Sequence, residues 1–309
     1  MDKMKNFTKE IWGYYKKSKR NLPWRNTTDP YHILVSEVML QQTQVSRVIP
    51  KYQEFIRKFK NIKTLALTSK ADVLTLWQGL GYNRRALFLK KTCEILYAEN
   101  PKASRFPTTR EELLKLPGIG QSTAGAILAF AFNKPEPFIE TNIRAVFIYF
   151  FFKEISSVHD TNILELLSET FKQSKQRNNP REWYYALYDY GSMLKTQLGK
   201  EKTTLHKQSK HYNKQSSFKG SNREIRSNIL KLFINQTKNI RIKSNTLTTA
   251  YIINTILKML PQSTEENIKI NIESLEKEGF ITLIQTNKSH KANNKSKKIE
   301  SLSYALSVV

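Results

Sequence analysis

The stretch Leu116-Pro117-Gly118-Ile119-Gly120-Gln121-Ser122-Thr123-Ala124-Gly125-Ala126-Ile127-Leu128 constrains this chain more than any other. A short helical pattern, Glu111 to Lys115, runs into a tight Pro-Gly-x-Gly turn, and a second, small-and-apolar helix leaves it. Gly118 and Gly120 let the backbone take positive φ and let another molecule approach with no Cβ in the way. Amides at the start of the second helix, around Gln121, then face outward, where the helix dipole favours an anion. Taken alone, the same residues also suit a bland helical corner.

The rest of the chain reads as helix after helix. Asn6 to Lys17 is amphipathic, with Phe7, Ile11, Trp12 and Tyr15 on one side, and Leu22-Pro23-Trp24-Arg25 breaks it. Pro30 after Asp29 is a good first helical residue, and opens a helix carrying Ile33, Leu34, Val35, Glu37, Val38, Met39, Leu40 and Gln41-Gln42. Helical patterns follow at Val48–Lys58, Ala71–Gln78, Arg84–Glu99, Ile143–Phe152 and Trp183–Leu194. Strand patterns are almost absent before residue 280, so the body is all-α. Lys195 to Gly220 holds seven Lys and one Glu with little to bury, and reads as a basic loop or linker. Beyond it come three helices (Arg223–Phe233, Thr246–Leu260, Thr264–Gly279). Alternating strands, Phe280 to Ile284 and Ser301 to Leu306, then flank a Lys-rich tip from Asn287 to Lys298. This order suggests a winged helix, a fold that often presents its wing to DNA and also serves as a protein-interaction module; both readings stay open for this segment.

The charge balance, 51 Lys+Arg against 26 Asp+Glu, suits a polyanionic partner, although a Lys- and Asn-rich composition also arises simply from an AT-rich genome. Cys93 is the one cysteine, which excludes an intrachain disulfide and any multi-cysteine cluster. No apolar run reaches membrane-spanning length and residues 1–6 are no signal peptide, so the expectation is a cytoplasmic protein with no membrane association.

Glu37 lies one turn from Ile33, Leu34, Leu40 and Gln41, so its carboxylate projects from a largely apolar helix surface. Desolvation there would raise its pKa and keep it protonated, as a general acid requires. On periodicity alone, an exposed Glu at a helix edge is the better reading.

Four motifs in order and spacing bear on that choice. They are Leu22-Pro23-Trp24-Arg25, Ser36 to Val45, Trp77-Gln78-Gly79-Leu80-Gly81-Tyr82, and Leu116 to Leu128. Together, over roughly residues 20 to 195, they resemble adenine DNA glycosylases of the MutY type, in the helix-hairpin-helix endonuclease III superfamily. The resemblance implies a double-stranded DNA partner with a mismatch, whose phosphate the hairpin receives through Gly118, Gly120 and Gln121. An adenine is flipped from the duplex, and its N-glycosidic bond is hydrolysed. Glu37 becomes the acid that protonates the adenine ring; Arg25, Ser122 and Asn142 line the base pocket. Gln41, Gln42 and Tyr82 contact DNA, with Gln42 and Tyr82 probing or wedging the stack, where unstacking costs a few kcal/mol. Without the resemblance, Tyr82 is ordinary packing under a Gly turn and Gln41-Gln42 a polar helix face. Relatives that also cut the strand carry a lysine at the position of Ser122; a serine cannot form the Schiff base, so a monofunctional enzyme is implied.

Two departures stand out. The family's catalytic aspartate falls on Glu140, whose extra methylene shifts the charge by about a C–C bond, and misplacement on the order of 1 Å can cost ~100-fold. Apart from the resemblance, Glu140 is a carboxylate favoured by a helix N-terminus. Most members also bind a four-iron, four-sulfur cluster through four cysteines after the helix matching Trp183–Leu194; that span here is Lys-rich and cysteine-free, so no iron-sulfur cluster is expected. A monovalent cation at the hairpin is compatible with the sequence, and no other metal or cofactor is implied. The β-rich module that reads 8-oxoguanine in the family is replaced by about ninety mostly helical residues.

The sequence thus predicts an all-α, two-lobed helix-hairpin-helix glycosylase core over 1–195, with a barrel lobe at about 28–133 and a second lobe joining 1–27 to 134–195. Glu37 and Glu140 are expected to face one another across the cleft. A Lys-rich linker, 196–220, leads to a winged-helix-like domain, 221–309. The favoured activity is removal of adenine mispaired with 8-oxoguanine or guanine by a nucleoid-associated monomer. The alternatives are a thymine/uracil mismatch glycosylase, or a DNA-binding homologue impaired by Glu140.

Overall fold

The computed structural model describes residues 2–99, 101, 105–197, 217–238, 246–284 and 302–307. Contacts divide the chain into two units, Met1–Lys63 with Thr92–Lys214, and Thr64–Lys91 with Gln215–Val309. Residues 64–91, which the sequence assigned to the barrel lobe, thus group with the C-terminal elements.

The first unit is built from α1 (Asp2–Ser18), a 3-10 turn at Pro23–Arg25, α2 (Pro30–Leu40) and α3 (Val45–Lys58). α4 (Ile62–Ala66) lies where the two units part, and α5 (Lys70–Trp77) and the first half of α6 (Arg84–Glu99) belong to the second. The first unit continues with the rest of α6, α7 (Arg110–Leu114), α8 (Gln121–Phe132), α9 (Thr141–Phe151), α10 (Asp160–Thr170), α11 (Ser174–Asn178) and α12 (Pro180–Gln197). The basic span opening at Lys195 therefore starts as helix, and its residues 198–216 lie outside those described.

Local chemistry sets the helix ends. Asp29 accepts the Tyr31 amide at 2.8 Å while Pro30 occupies the first helical position of α2. Thr109 and Glu112 form a capping box on α7, with Thr109 Oγ1 accepting from the Glu112 amide and Glu112 Oε2 from the Thr108 amide. The core of this unit is aromatic: the Phe7 ring of α1 lies 5.2 Å from Phe147 of α9 and 5.9 Å from Trp183 of α12. Two glycines set helix spacing. A Cβ on Gly125 of α8 would stand 2.4 Å from Phe138 Cβ, and one on Gly191 of α12 would stand 2.6 Å from the Asn142 carbonyl oxygen of α9.

The C-terminal part of the second unit runs α13 (Asn222–Lys238), β1 (Thr246–Thr248), α14 (Thr249–Met259), α15 (Glu265–Lys277), β2 (Ile281–Ile284) and β3 (Ser303–Leu306). β3 lies between the other two strands, antiparallel to both, with Leu247 opposite Tyr304 and Ile281 opposite Leu306. Ile229, Phe233, Ile256, Ile272, Leu275 and Phe280 fill the space under the sheet. This is the order of a winged helix. The helix expected from Thr246 begins instead at Thr249, because Leu247 turns inward as part of β1, a strand too short to show a period. The Lys-rich tip at 287–298 lies outside the described residues. No described helix is long and apolar enough to cross a membrane.

Candidate active site

The hairpin forms where the sequence places it. Gly118 adopts φ 76°, a left-handed conformation that supplies the turn between α7 and α8. Gly120 does not: it is extended, at φ −97° and ψ −178°, so the expectation of positive φ holds for one glycine of the pair. Gly120 is the N-cap of α8, with no side-chain cap, and a Cβ there would meet nothing within 4 Å. Neither backbone strain nor packing requires glycine at 120. Thr92 ties the turn down by donating to the Pro117 carbonyl at 3.0 Å. Arg110, which sequence reasoning passed over, donates to Gln121 Oε1 at 3.2 Å, to Glu136 Oε2 at 3.1 Å and to the Pro137 carbonyl at 3.0 Å.

α2 packs on α8, and Gln41, the C-cap of α2, donates to Thr123 Oγ1 at 3.2 Å. That bond leaves Ser122 in the first turn of α8, half-buried, close to the end of the helix bearing Glu37. Gln42 follows, exposed, at φ 54°. A left-handed conformation at a non-glycine residue carries about 1–2 kcal/mol of strain.

Glu37 sits in the middle of α2 between the buried Ser36 and Val38. It keeps some accessible surface, yet its carboxyl is enclosed enough for desolvation to push its pKa up to about 8. The negative charge of Glu140 adds to the rise and Arg25 opposes it. Burial, not an exposed helix edge, is therefore the fate of this carboxyl.

Glu140 is the N-cap of α9. Its Oε1 accepts from the amides of Asn142 at 2.6 Å and Ile143 at 2.9 Å, while Oε2 accepts from Asn142 Nδ2 at 3.1 Å. Burial raises the Glu140 pKa, against the pull of Lys195 and of the two amides. Asn142, expected in the base pocket, turns its side-chain amide onto Glu140.

Arg25 closes the arrangement. Its Nη1 and Nη2 donate to the two carboxylate oxygens of Asp189 at 2.8 and 2.7 Å, and its guanidinium lies 4.4 Å from the Tyr185 ring centroid. Arg25 Nε is buried with no hydrogen-bond partner. Tyr185, Tyr188 and Asp189 occupy one face of α12, three and four residues apart. The Tyr188 hydroxyl is held well above its usual range by burial and then by the charges of Glu37 and Glu140. The sequence carried a faint signal for Asp189, a lone carboxylate in an aromatic helix. Nothing in it named Arg25, 164 positions away, as the partner.

Tyr82 belongs to the second unit and, like Gln42, is left-handed, at φ 47°. Gln42, Tyr82 and Asn133, the C-cap of α8, are the non-glycine residues with positive φ among those described. Two of the three are residues that the sequence resemblance set against DNA.

What these elements assemble is a buried carboxyl whose pKa is raised and a second carboxyl anchored at a helix N-terminus. Such a set can supply acid catalysis and stabilise a developing cation.

Residues 35–187 match the sequence profile of the HhH-GPD superfamily, described as base excision DNA repair protein. The chain is 39% identical over 181 residues to an adenine DNA glycosylase of Buchnera aphidicola, covering 59% of this chain and 50% of that one. It is 39% identical over 137 residues to an adenine DNA glycosylase of Mycobacterium tuberculosis, covering 44% of each. Among solved structures it is similar to a thermostable thymine-DNA glycosylase, with TM-score 0.54 and 27% identity, covering 62% of this chain and 87% of that one. The chain spans about half the length of the curated relatives it matches.

Proposed function

We propose that this chain, whose residues 35–187 match the HhH-GPD superfamily of base excision DNA repair proteins, is a monofunctional adenine DNA glycosylase acting on mismatched double-stranded DNA. The observation that carries this reading is the Glu37 carboxyl, raised to about 8 beside the charge of Glu140. At neutral pH Glu37 holds a proton to give, and the proposed reaction assigns the negative charge to Glu140, whose carboxylate the Asn142 and Ile143 amides favour against the burial that raises its pKa. Curated relatives named adenine DNA glycosylase support the choice of base.

In the proposed reaction an adenine leaves the duplex and enters the space beside Glu37 and Glu140, and Glu37 protonates its ring. The N-glycosidic bond breaks with its electron pair going to the base. Positive charge then spreads over the sugar, where the Glu140 carboxylate stabilises it. Water adds at the anomeric carbon and returns a proton to Glu37, leaving an abasic site. Gln42 and Tyr82 hold the gap in the stack, and the uncapped start of α8 at Gly120 receives a phosphate. No lysine stands at 122, so no Schiff base forms there.

An iron-sulfur cluster does not fit this chain. Four thiolates are needed, and the single cysteine, Cys93, is buried in α6.

A panel of duplexes carrying A·8-oxoguanine, A·G, T·G or U·G, incubated with the protein and then treated with hot alkali, tests the reading. Cleavage at adenine is expected. Cleavage confined to T·G or U·G would move the chain to the activity named for its thymine-DNA glycosylase relative. No cleavage in any duplex would leave a DNA-binding homologue.

A further inference from the structure

We propose that Arg223, in the first turn of the winged-helix-like segment, is a positioning residue that holds the Tyr82 side chain ready to enter the DNA stack. The proposal rests on the glycosylase reading above and gives the C-terminal segment a part in it.

Two sets of contacts act on residues 79–82, both inside the second unit. The first fixes the backbone. Trp77 Nε1 donates to the Gly81 carbonyl at 3.1 Å, and Arg85 Nη2 donates to the Leu80 and Gly81 carbonyls at 3.3 and 3.0 Å. Trp77 and Leu80 are buried, so this backbone is anchored to the core and can hold Tyr82 in its left-handed conformation. The second set acts on the ring. Arg223 Nη1 donates to the Tyr82 hydroxyl at 2.8 Å, and the Arg223 and Arg85 guanidinium carbons each lie 5.6 Å from the ring centroid.

The Arg223 guanidinium also donates to the Ser217 carbonyl at 3.3 Å, so it is itself held in place. α13, which carries Arg223, packs against α5, which ends at Trp77. The loop is thus fixed at its base by α5 and α6 and at its tip by α13. An aromatic wedge gains from being ordered before it binds, because the rotamer freedom it would otherwise lose is already spent. Two guanidiniums beside the ring also add positive charge where phosphates would pass.

The test uses the full chain and a duplex with 2-aminopurine beside an A·G mismatch, reading fluorescence for unstacking and single-turnover adenine release. Arg223→Ala and Tyr82→Phe should each lower unstacking and release by about two- to tenfold, the equivalent of freezing one side chain. The double variant should be no worse than either single one, and Arg223→Lys should recover part of the loss. Losses that add in the double variant would overturn the proposal by making Arg223 a separate phosphate contact, as would an equal loss of affinity for fully matched duplex. Arg223→Ala behaving as the unsubstituted protein would overturn it while leaving the glycosylase reading intact. An unsubstituted protein that neither unstacks nor releases any base would bring down both.

Discussion

The charge of Glu140, at the N-cap of α9, raises the pKa of Glu37, in the middle of α2, and burial adds the larger part of the rise to about 8. The two carboxyls therefore divide the labour of acid and anion without differing in chemical type. Burial raises both pKa values; at Glu140 it is opposed by Lys195 and the Ile143 and Asn142 amides, at Glu37 only by Arg25.

The first prediction concerns pH. Glu37 must be protonated to act as an acid, and a raised pKa means the proton is held through neutrality and lost above about 8. Single-turnover adenine release should be flat near pH 7 and fall as pH rises through that value, approaching tenfold per unit. Glu37→Gln should abolish release by ~10²–10⁴-fold with duplex affinity nearly unchanged. A profile that fell with a midpoint near 4.5 would overturn the raised pKa, and full activity in Glu37→Gln would remove Glu37 from the acid role.

A second prediction follows from the Arg25–Asp189 pair, whose side chains are 3% and 0% exposed. Removing one partner of a buried pair strands the other charge. Asp189→Ala should accordingly lose about 3–5 kcal/mol of stability, measured by urea unfolding. Arg20, which also donates to Asp189, is about a third exposed and screened, so Arg20→Ala should lose far less. Equal losses in the two variants would place the weight of this cluster on Arg20.

Ser122 supplies a third. Borohydride should trap little covalent adduct between the protein and abasic DNA, because a hydroxyl stands where strand-cutting relatives carry an amine. Ser122→Lys places an amine in the first turn of α8, close to the end of α2, and should create trapping. Efficient trapping by the unsubstituted protein would show that another amine does this chemistry.

How far the sequence discloses these features depends on their physical range. Local chemistry was legible: Asp29-Pro30 opens α2, and the Pro-Gly-x-Gly turn joins α7 to α8. Period also disclosed the three C-terminal helices, because Ile229, Ile256 and Ile272 each belong to an apolar stripe facing one core. Glu37 was legible only through its motif. Tyr31, Ile33, Leu34, Val35, Ser36, Val38 and Met39 are all buried, so α2 has no polar stripe against which a buried carboxyl could stand out. Arg25 meets Asp189 and Tyr185 through tertiary packing, and no spacing within one helix records that. The Arg223–Tyr82 bond joins residues 141 positions apart and is invisible for the same reason. β1 was missed because Thr246–Thr248 earns its strand character from pairing with β3, not from propensity.

The last prediction turns on Glu140. Glutamate is not among the favoured N-cap residues, whereas aspartate is. Here Glu140 caps α9 by bending its longer arm back, so that Oε1 takes both the Asn142 and Ile143 amides. The extra methylene is thus absorbed in reaching the cap, and the carboxylate position is set by α9 and by Asn142 Nδ2. Aspartate could accept the same amides with a shorter arm, drawing its charge toward the backbone by about a C–C bond. If the pocket suits the aspartate of the family, Glu140→Asp should speed single-turnover adenine release, by up to ~100-fold. Glu140→Gln keeps an oxygen for the amides but turns an NH₂ toward the Asn142 side chain and loses the charge, so release should disappear. Thermal unfolding of the Gln variant separates loss of charge from loss of fold, since the cap survives in it. A slower Glu140→Asp protein would show a pocket rebuilt around glutamate. If neither the unsubstituted protein nor Glu140→Asp releases base from any mismatch, the chain is a DNA-binding protein that keeps the acid and lacks a working counter-charge.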